Sequence, residues 1–143
     1  MRIRQLNHSV YQVQFHIVWG VKYRRKILKP YVKTELFASF MKLQRRYPEW
    51  YYHRINSDQD HVHVLMEFPP SESIAWVVQQ LKSHTSADLR KKFKFIDEIF
   101  DHSGIWSVGY FVSTIGLNED QIRKYIEKQG AHDIGIDVSA EFS

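Results

Sequence analysis

Hydrophobic and polar residues along the first third of the chain predict a strand followed by a helix. Residues 9–23 alternate between apolar and polar and then become continuously apolar, which is typical of a strand increasingly buried on both faces. Pro30 opens a pattern of helical period that runs to about Tyr47. Pro48 follows directly, and a proline there ends the predicted helix.

The middle of the chain predicts a hairpin, a second helix and a fourth strand. Two strand patterns, at about 50–57 and 61–68, are separated by a short polar turn, which indicates an antiparallel pair. After Pro70 the apolar residues return at helical spacing as far as Leu89. A further strand is expected at about 106–115.

The last predicted helix spans about residues 119–129, with Asn118 as its N-cap. At helical spacing Ile122, Tyr125, Ile126 and Gln129 share one face, which we expect to lie against the sheet. Two interpretations of the tyrosine are open at this point. It is either a core residue whose hydroxyl bonds to backbone, or a residue with a chemical role.

The order strand, helix, strand, strand, helix, strand matches the split βαβ arrangement of ferredoxin-like α+β folds, with one additional C-terminal helix. We predict a single domain over residues 1–143, with a core at about 9–130 and a tail at 131–143. The sequence shows no signal peptide and no apolar run approaching the roughly 20 residues that span a bilayer. We therefore expect a cytoplasmic protein without a membrane segment.

Two histidines, His61 and His63, are separated by one valine within the third predicted strand. Residues i and i+2 of a strand project from the same face, so the two imidazoles can share one divalent metal. Asp58, Asp60 and Glu67 are close enough in sequence to support such a site through hydrogen bonds. The alternative is a structural pair held by hydrogen bonding alone.

The amino-acid composition limits the kinds of binding site that the chain can form. The chain has no cysteine, which excludes disulfides and thiolate zinc sites, and it has no GxxxxGK[ST] loop for a nucleotide triphosphate. Its net charge is +4, and basic residues are clustered. A phosphate backbone is a natural partner for such clusters, although each one alone is more typical of a solvated face. The candidate DNA-binding residues are Lys22, Tyr23, Arg24, Arg25, Lys82, Arg90, Lys91 and Lys92.

Five short motifs occur in a fixed order over about residues 10–130. The motifs are Phe15-His16-Ile17-Val18-Trp19 with Lys22-Tyr23-Arg24, Asp60-His61-Val62-His63-Val64-Leu65, Leu81-Lys82-Ser83, Trp106-Ser107 with Gly109-Tyr110-Phe111, and Tyr125-Ile126-Glu127 with Gln129. Together they resemble single-tyrosine transposases of the insertion-sequence IS200/IS605 family, in the HUH nuclease superfamily. The departures are Gln59, where relatives often carry proline, Val108, where they often carry a polar residue, and the tail.

The resemblance implies a role for each matching residue. His61 and His63 correspond to the family's metal-binding histidines, Gln129 to the amide that completes the site, and Tyr125 to the nucleophile. Mg²⁺ or Mn²⁺ is the expected cofactor, because the metal must bind phosphate oxygens and no thiolate is present. The expected partners are single-stranded DNA hairpins at element ends and a second copy of the chain, in a homodimer.

Two other functions are compatible with the sequence. A domesticated relative would cleave hairpins of genomic repeats without moving as an element. A noncatalytic nucleic-acid-binding domain of the same fold would stack bases on aromatic side chains, but it leaves the histidine pair, Tyr125 and Gln129 without a role.

Overall fold

A computed structural model of the 143-residue chain describes residues 4–6, 9–11, 13–114 and 123–128. The strands and helices are β1 Arg4–Leu6, β2 Ser9–Tyr11, β3 Phe15–Gly20, α1 Pro30–Arg46, β4 Tyr51–Ser57, β5 His61–Glu67, α2 Ile74–Lys92, α3 Lys94–Ile99 and β6 Phe111–Ser113. A 3₁₀ turn, Lys22–Arg24, follows β3, and residues 123–128 are helical. Within these residues no helix combines the length and apolar composition needed to cross a bilayer.

Four strands form one antiparallel sheet in the order β4-β5-β3-β6. The strand β3 lies beside β5 and β6, both of which are distant from it in sequence. This order is typical of the split βαβ arrangement. The predicted ferredoxin-like α+β fold is confirmed. The strands β1 and β2 form a separate two-stranded hairpin.

The two faces of this sheet differ in what covers them. Alternate strand residues, among them Ile17, Trp19, Val62 and Val64, are fully buried in the main core with α1 and α2. The opposite face carries His61, His63 and Val18, and a small second cluster there joins Val18 to the helical residues 123–128. The structural core therefore lies on one side of the sheet, and the predicted chemistry lies on the other.

Two predicted strands are shorter than expected. The pattern at 9–23 divides into β2 and β3, and the pattern at 106–115 leaves only β6. Trp106 forms an isolated bridge to Val21, while Gly109 takes a left-handed φ of 88°, which interrupts the strand before β6 begins. Ile105, Trp106 and Ser107 are thus buried because they dock against the end of β3, and they do not form a longer strand.

The helix α3 was not predicted, because its apolar residues continue the pattern of α2. Phe93 breaks the run with an extended backbone, φ −120° and ψ 106°, so that a new six-residue helix starts at Lys94. This short helix buries Ile96 completely and leaves Phe95 and Ile99 exposed.

The start of α2 yields a test of the fold. Ser73 Oγ accepts a hydrogen bond of 3.0 Å from the Trp76 backbone N–H, which caps the helix. We expect Ser73→Ala to lower the free energy of unfolding by about 1 kcal/mol, measured by urea denaturation. Ser71→Ala, two residues earlier and outside the helix, is the control and should leave stability unchanged within about 0.5 kcal/mol. Equal effects of the two substitutions would contradict the assigned cap.

Candidate active site

A cavity of about 400 Å³ opens where the β4–β5 turn meets the end of β3 and the helical residues 123–128. Its walls combine two imidazoles, two carboxylates and two guanidinium groups, a composition suited to binding both a cation and phosphate. The lining residues are Arg24, Asp58, Asp60, His61, His63, Arg123 and Ile126.

Strand pairing places both histidines of the predicted pair on the same face. His61 lies opposite Gly20 and His63 lies opposite Val18 across the β3–β5 ladder. The two rings are nearly parallel, at 22°, with centroids 5.9 Å apart. A Cβ at Gly20 would lie 3.2 Å from Ile126 Cδ1, so the glycine allows the helical residues to approach the sheet closely beside His61.

A carboxylate fixes the orientation of His61. His61 Nδ1 donates to Asp60 Oδ1 at 2.9 Å, and Arg24 Nε lies 3.5 Å from the other oxygen of Asp60. The hydrogen bond from His61, with its charge and that of Arg24, holds the pKa of Asp60 below its usual range despite burial. The second nitrogen, Nε2, lies 3.3 Å from Oδ2 of Asp58, which also lines the cavity. This is the arrangement in which a carboxylate orients a metal-binding imidazole.

The ring of His63 lies between two other imidazoles. Its centroid is 5.9 Å from that of His61 and 5.9 Å from that of His16 on β3. Burial lowers the pKa of His63, and repulsion from the protonated forms of His61 and His16 lowers it further. Burial also lowers the pKa of His16, assisted by Arg54. Both groups are therefore neutral near pH 7 and keep a nitrogen lone pair.

The two imidazoles fit a divalent cation as part of a ligand set. They share a face, one is oriented by a carboxylate and the other is held neutral, as metal binding requires. Among the described residues no three histidine, cysteine or acidic side chains form a metal-binding group. Gln129, the third ligand implied by the sequence, lies outside the described residues. Glu67 contributes nothing here, since it is fully buried and bonded to His53 farther along β5.

The tyrosine of the predicted helix packs on the open face of the sheet. Tyr125 is 5% exposed, and its ring contacts Phe111 on β6 with centroids 5.8 Å apart. It belongs to the small cluster with Val18 and Ile126. The same helical residues turn Arg123 and Ile126 toward the cavity, whereas Tyr125 does not line it. The expected packing of this helix face on the sheet is observed for Tyr125.

The candidate DNA-binding residues are found in different environments. Arg24 lines the cavity, while Tyr23 is 49% exposed with the Arg25 guanidinium 5.7 Å from its ring centre. Lys82 donates to the carbonyls of Ser107 and Gly109, at 2.6 and 2.9 Å. Arg90 donates to the carbonyl of His102 at 3.0 Å. The remaining members are half-buried Lys22 and exposed Lys91 and Lys92.

Three residues at the site were not singled out from the sequence for these positions. Arg123 lies two residues before Tyr125 and faces the cavity, a placement that a helical wheel without the sheet does not predict. Arg54 lies on β4 opposite Leu65, on the same face as the histidines, and alternation along β4 would have identified it. His16 was given no role of its own within its motif, although it pairs with Leu65 on that face.

Comparison with known proteins identifies the class. The family model described as "Transposase IS200 like" matches residues 9–129. The transposase of insertion sequence element IS200 from Salmonella typhimurium is 31% identical over 129 residues, covering 88% of this chain and 82% of that protein. The ISDra2 transposase of Deinococcus radiodurans is 29% identical over 121 residues, covering 84% and 86%. The chain therefore belongs to the IS200-like transposase family.

Solved structures share the fold. A candidate transposase from Deinococcus radiodurans R1 superposes with a TM-score of 0.76 at 23% identity, covering 88% of this chain and 97% of that one. A REP-associated tyrosine transposase bound to a REP hairpin superposes with a TM-score of 0.54 at 12% identity, covering 92% and 72%.

The electrostatics of the histidines are testable by titration. Burial disfavours the charged form of His63, whereas hydrogen bonding to Asp97 raises the pKa of the fully exposed His102. By NMR, His63 should titrate below the ordinary histidine value of about 6.5, and His102 above it. Because the unfolded chain then binds the proton more readily than the folded one, His63 reduces stability as pH falls below about 6.5. Titration of His63 above His102 would contradict this electrostatic description.

Proposed function

We propose that this chain is a divalent-metal-dependent transposase that cleaves and rejoins single-stranded DNA at insertion-element ends through a 5′-phosphotyrosine intermediate. The observation that carries the proposal is the pair His61 and His63, oriented on one strand face in a cavity whose far wall belongs to the tyrosine-bearing helix. Membership of the IS200-like transposase family supports the reaction class.

Each residue around the cavity has a distinct task in this proposal. Arg24 and Arg123 would bind the phosphate at the cleavage site, since guanidinium groups match phosphate oxygens in geometry and charge. Asp60 keeps the ring of His61 in place through Nδ1. His61, His63 and Gln129 would hold Mg²⁺ or Mn²⁺, which when bound supplies positive charge to a phosphate oxygen.

Tyr125 is assigned the covalent step. Its phenol oxygen loses a proton and attacks the scissile phosphorus, and the bond from phosphorus to the 3′ oxygen breaks. The departing oxygen takes up one proton to give a 3′-hydroxyl, so protons balance over the step. The 5′ phosphate stays joined to the tyrosine, so the energy of the phosphodiester is retained for rejoining. This agrees with a sequence that has no nucleotide triphosphate loop.

The burial of Tyr125 adds a condition to this mechanism. Because its side chain is 5% exposed and packs on Phe111, the hydroxyl meets a phosphate only after the helical residues 123–128 shift over the sheet. We propose that this occurs within a homodimer, in which the helix of one copy serves the histidines of either copy.

Hairpin DNA is the proposed substrate, since a protein of the same fold is bound to a REP hairpin. A domesticated enzyme acting on genomic repeats would use the same chemistry. The 31% identity to the transposase of IS200 favours a mobile element, because that relative is named for an insertion sequence and matches most of this chain.

The nucleophile is tested by trapping it. With single-stranded hairpin DNA and Mg²⁺ or Mn²⁺, the wild-type protein should form an adduct that survives denaturing electrophoresis. Tyr125→Phe should abolish the adduct, and His61→Ala should reduce it. Tyr47→Phe, at a tyrosine on the helical side and outside the cavity, is the matched control and should leave it unchanged. An adduct formed by Tyr125→Phe would reassign the nucleophile, and DNA binding without any adduct would favour a noncatalytic domain.

Metal dependence is tested by removal and by direct binding. Treatment with EDTA should abolish adduct formation, and Mg²⁺ or Mn²⁺ should restore it. Asp60→Asn should weaken Mn²⁺ binding about 10- to 100-fold, measured by electron paramagnetic resonance, because the orientation of His61 is lost. His84→Ala, on α2 and outside the cavity, serves as the control. Full activity in EDTA would contradict the proposal.

A further inference from the structure

Three aromatic rings form a contiguous exposed patch on the helical side of the molecule. Tyr31, in the first turn of α1, lies 5.6 Å from Phe93 and 6.5 Å from Phe95, and the last two lie 6.1 Å apart, measured between ring centroids. Tyr31 is 58% exposed and Phe95 is 42% exposed, while Phe93 is partly buried at the junction of α2 and α3. We call these three residues the aromatic patch.

The charge around the aromatic patch is positive. Lys91 and Lys92, in the last turn of α2, are exposed and form no salt bridge with the described residues. The two acidic side chains of α3 are paired, since Glu98 lies 3.7 Å from Lys94, and Asp97 contacts Arg90 and His102. Unpaired lysines beside exposed rings complement a ligand that carries both negative charge and flat apolar faces.

Two neighbouring arginines connect the cavity to α3, the helix that carries Phe95. Arg24 lines the cavity, and its neighbour Arg25 places its guanidinium 5.7 Å from the ring centre of Tyr23 and 5.9 Å from that of Phe100. Phe100 directly follows α3, and Phe95 is near the beginning of that helix. Six helical residues span roughly 9 Å, a distance that a few nucleotides cover.

We infer that the aromatic patch is a base-stacking platform for single-stranded DNA leaving the cavity. This inference rests on the proposed single-stranded DNA activity and adds a surface to it. Aromatic rings beside lysines are the combination that binds single strands with little sequence preference, because every base has a face to stack and every nucleotide a phosphate. A second copy of the chain is a poorer occupant, because it would bring the same lysines together.

The test compares strands with and without bases by fluorescence anisotropy. A thymidine oligonucleotide of about 15 nucleotides provides bases and phosphates, and an abasic strand of equal length provides phosphates alone. We expect Phe95→Ala and Tyr31→Ala each to raise the Kd for the thymidine strand about tenfold, and to leave the Kd for the abasic strand unchanged. The double substitution Lys91→Ala with Lys92→Ala should raise the Kd for both strands by the same factor. It should also make both Kd values less dependent on salt concentration.

Two matched variants distinguish stacking from general apolar contact. Ile99→Ala removes a side chain that is 41% exposed on the same helix as Phe95 but carries no ring, and it should leave the thymidine Kd unchanged. Phe95→Trp keeps a ring and should retain binding. Equal affinity of wild type and Phe95→Ala for the thymidine strand would overturn the inference, as would a loss of self-association in Phe95→Ala without any change in DNA binding.

The hairpin adduct separates this inference from the proposed function. Phe95→Ala retains Tyr125 and the cavity, so it should still form the adduct when hairpin DNA is present well above its Kd. If Phe95→Ala forms the adduct and binds the thymidine strand as tightly as wild type does, the stacking platform is overturned and the proposed function stands. If wild type forms no adduct while Phe95→Ala still loses thymidine affinity, the platform is supported and the nuclease proposal fails.

Discussion

The antiparallel pairing of β3 with β5 is the constraint on which the site depends. Its register places Gly20 opposite His61 and Val18 opposite His63, so that small or apolar side chains lie beside each imidazole. A shift of one residue would turn both histidines into the core and bring Val62 and Val64 to the open face. Burial of those valines at 0% exposure against α1 and α2 therefore fixes the direction of the imidazoles.

Electrostatics and packing act together at this pair. His61 is held by a carboxylate that a guanidinium also approaches, while His63 is kept neutral by burial and by the imidazoles on either side. The two histidines are thus suited by different means to the metal site that we propose. Their environments depend on residues from β3, the β4–β5 turn and β5, which only the folded sheet brings together.

Much of the fold could be predicted from the sequence because its strands and helices have strong periodicity. The hairpin of β4 and β5, the helices α1 and α2, and the shared face of His61 and His63 follow from local spacing alone. The shortness of β6 could not be predicted, since the left-handed Gly109 and the bridge from Trp106 to Val21 depend on tertiary contacts. The same holds for Arg123, whose approach to the cavity depends on how the helical residues 123–128 dock.

Residues that build the molecule and residues assigned to its chemistry occupy opposite sides of one sheet. The large core joins β3 and β5 to α1 and α2, whereas Tyr125 and Ile126 form their own small cluster with Val18. A substitution at Tyr125 therefore disturbs the small cluster and leaves the contacts of the large core in place. A lineage that altered the tyrosine would keep most of the packing of the scaffold, which gives selection a direct route from a transposase to a protein that only binds DNA.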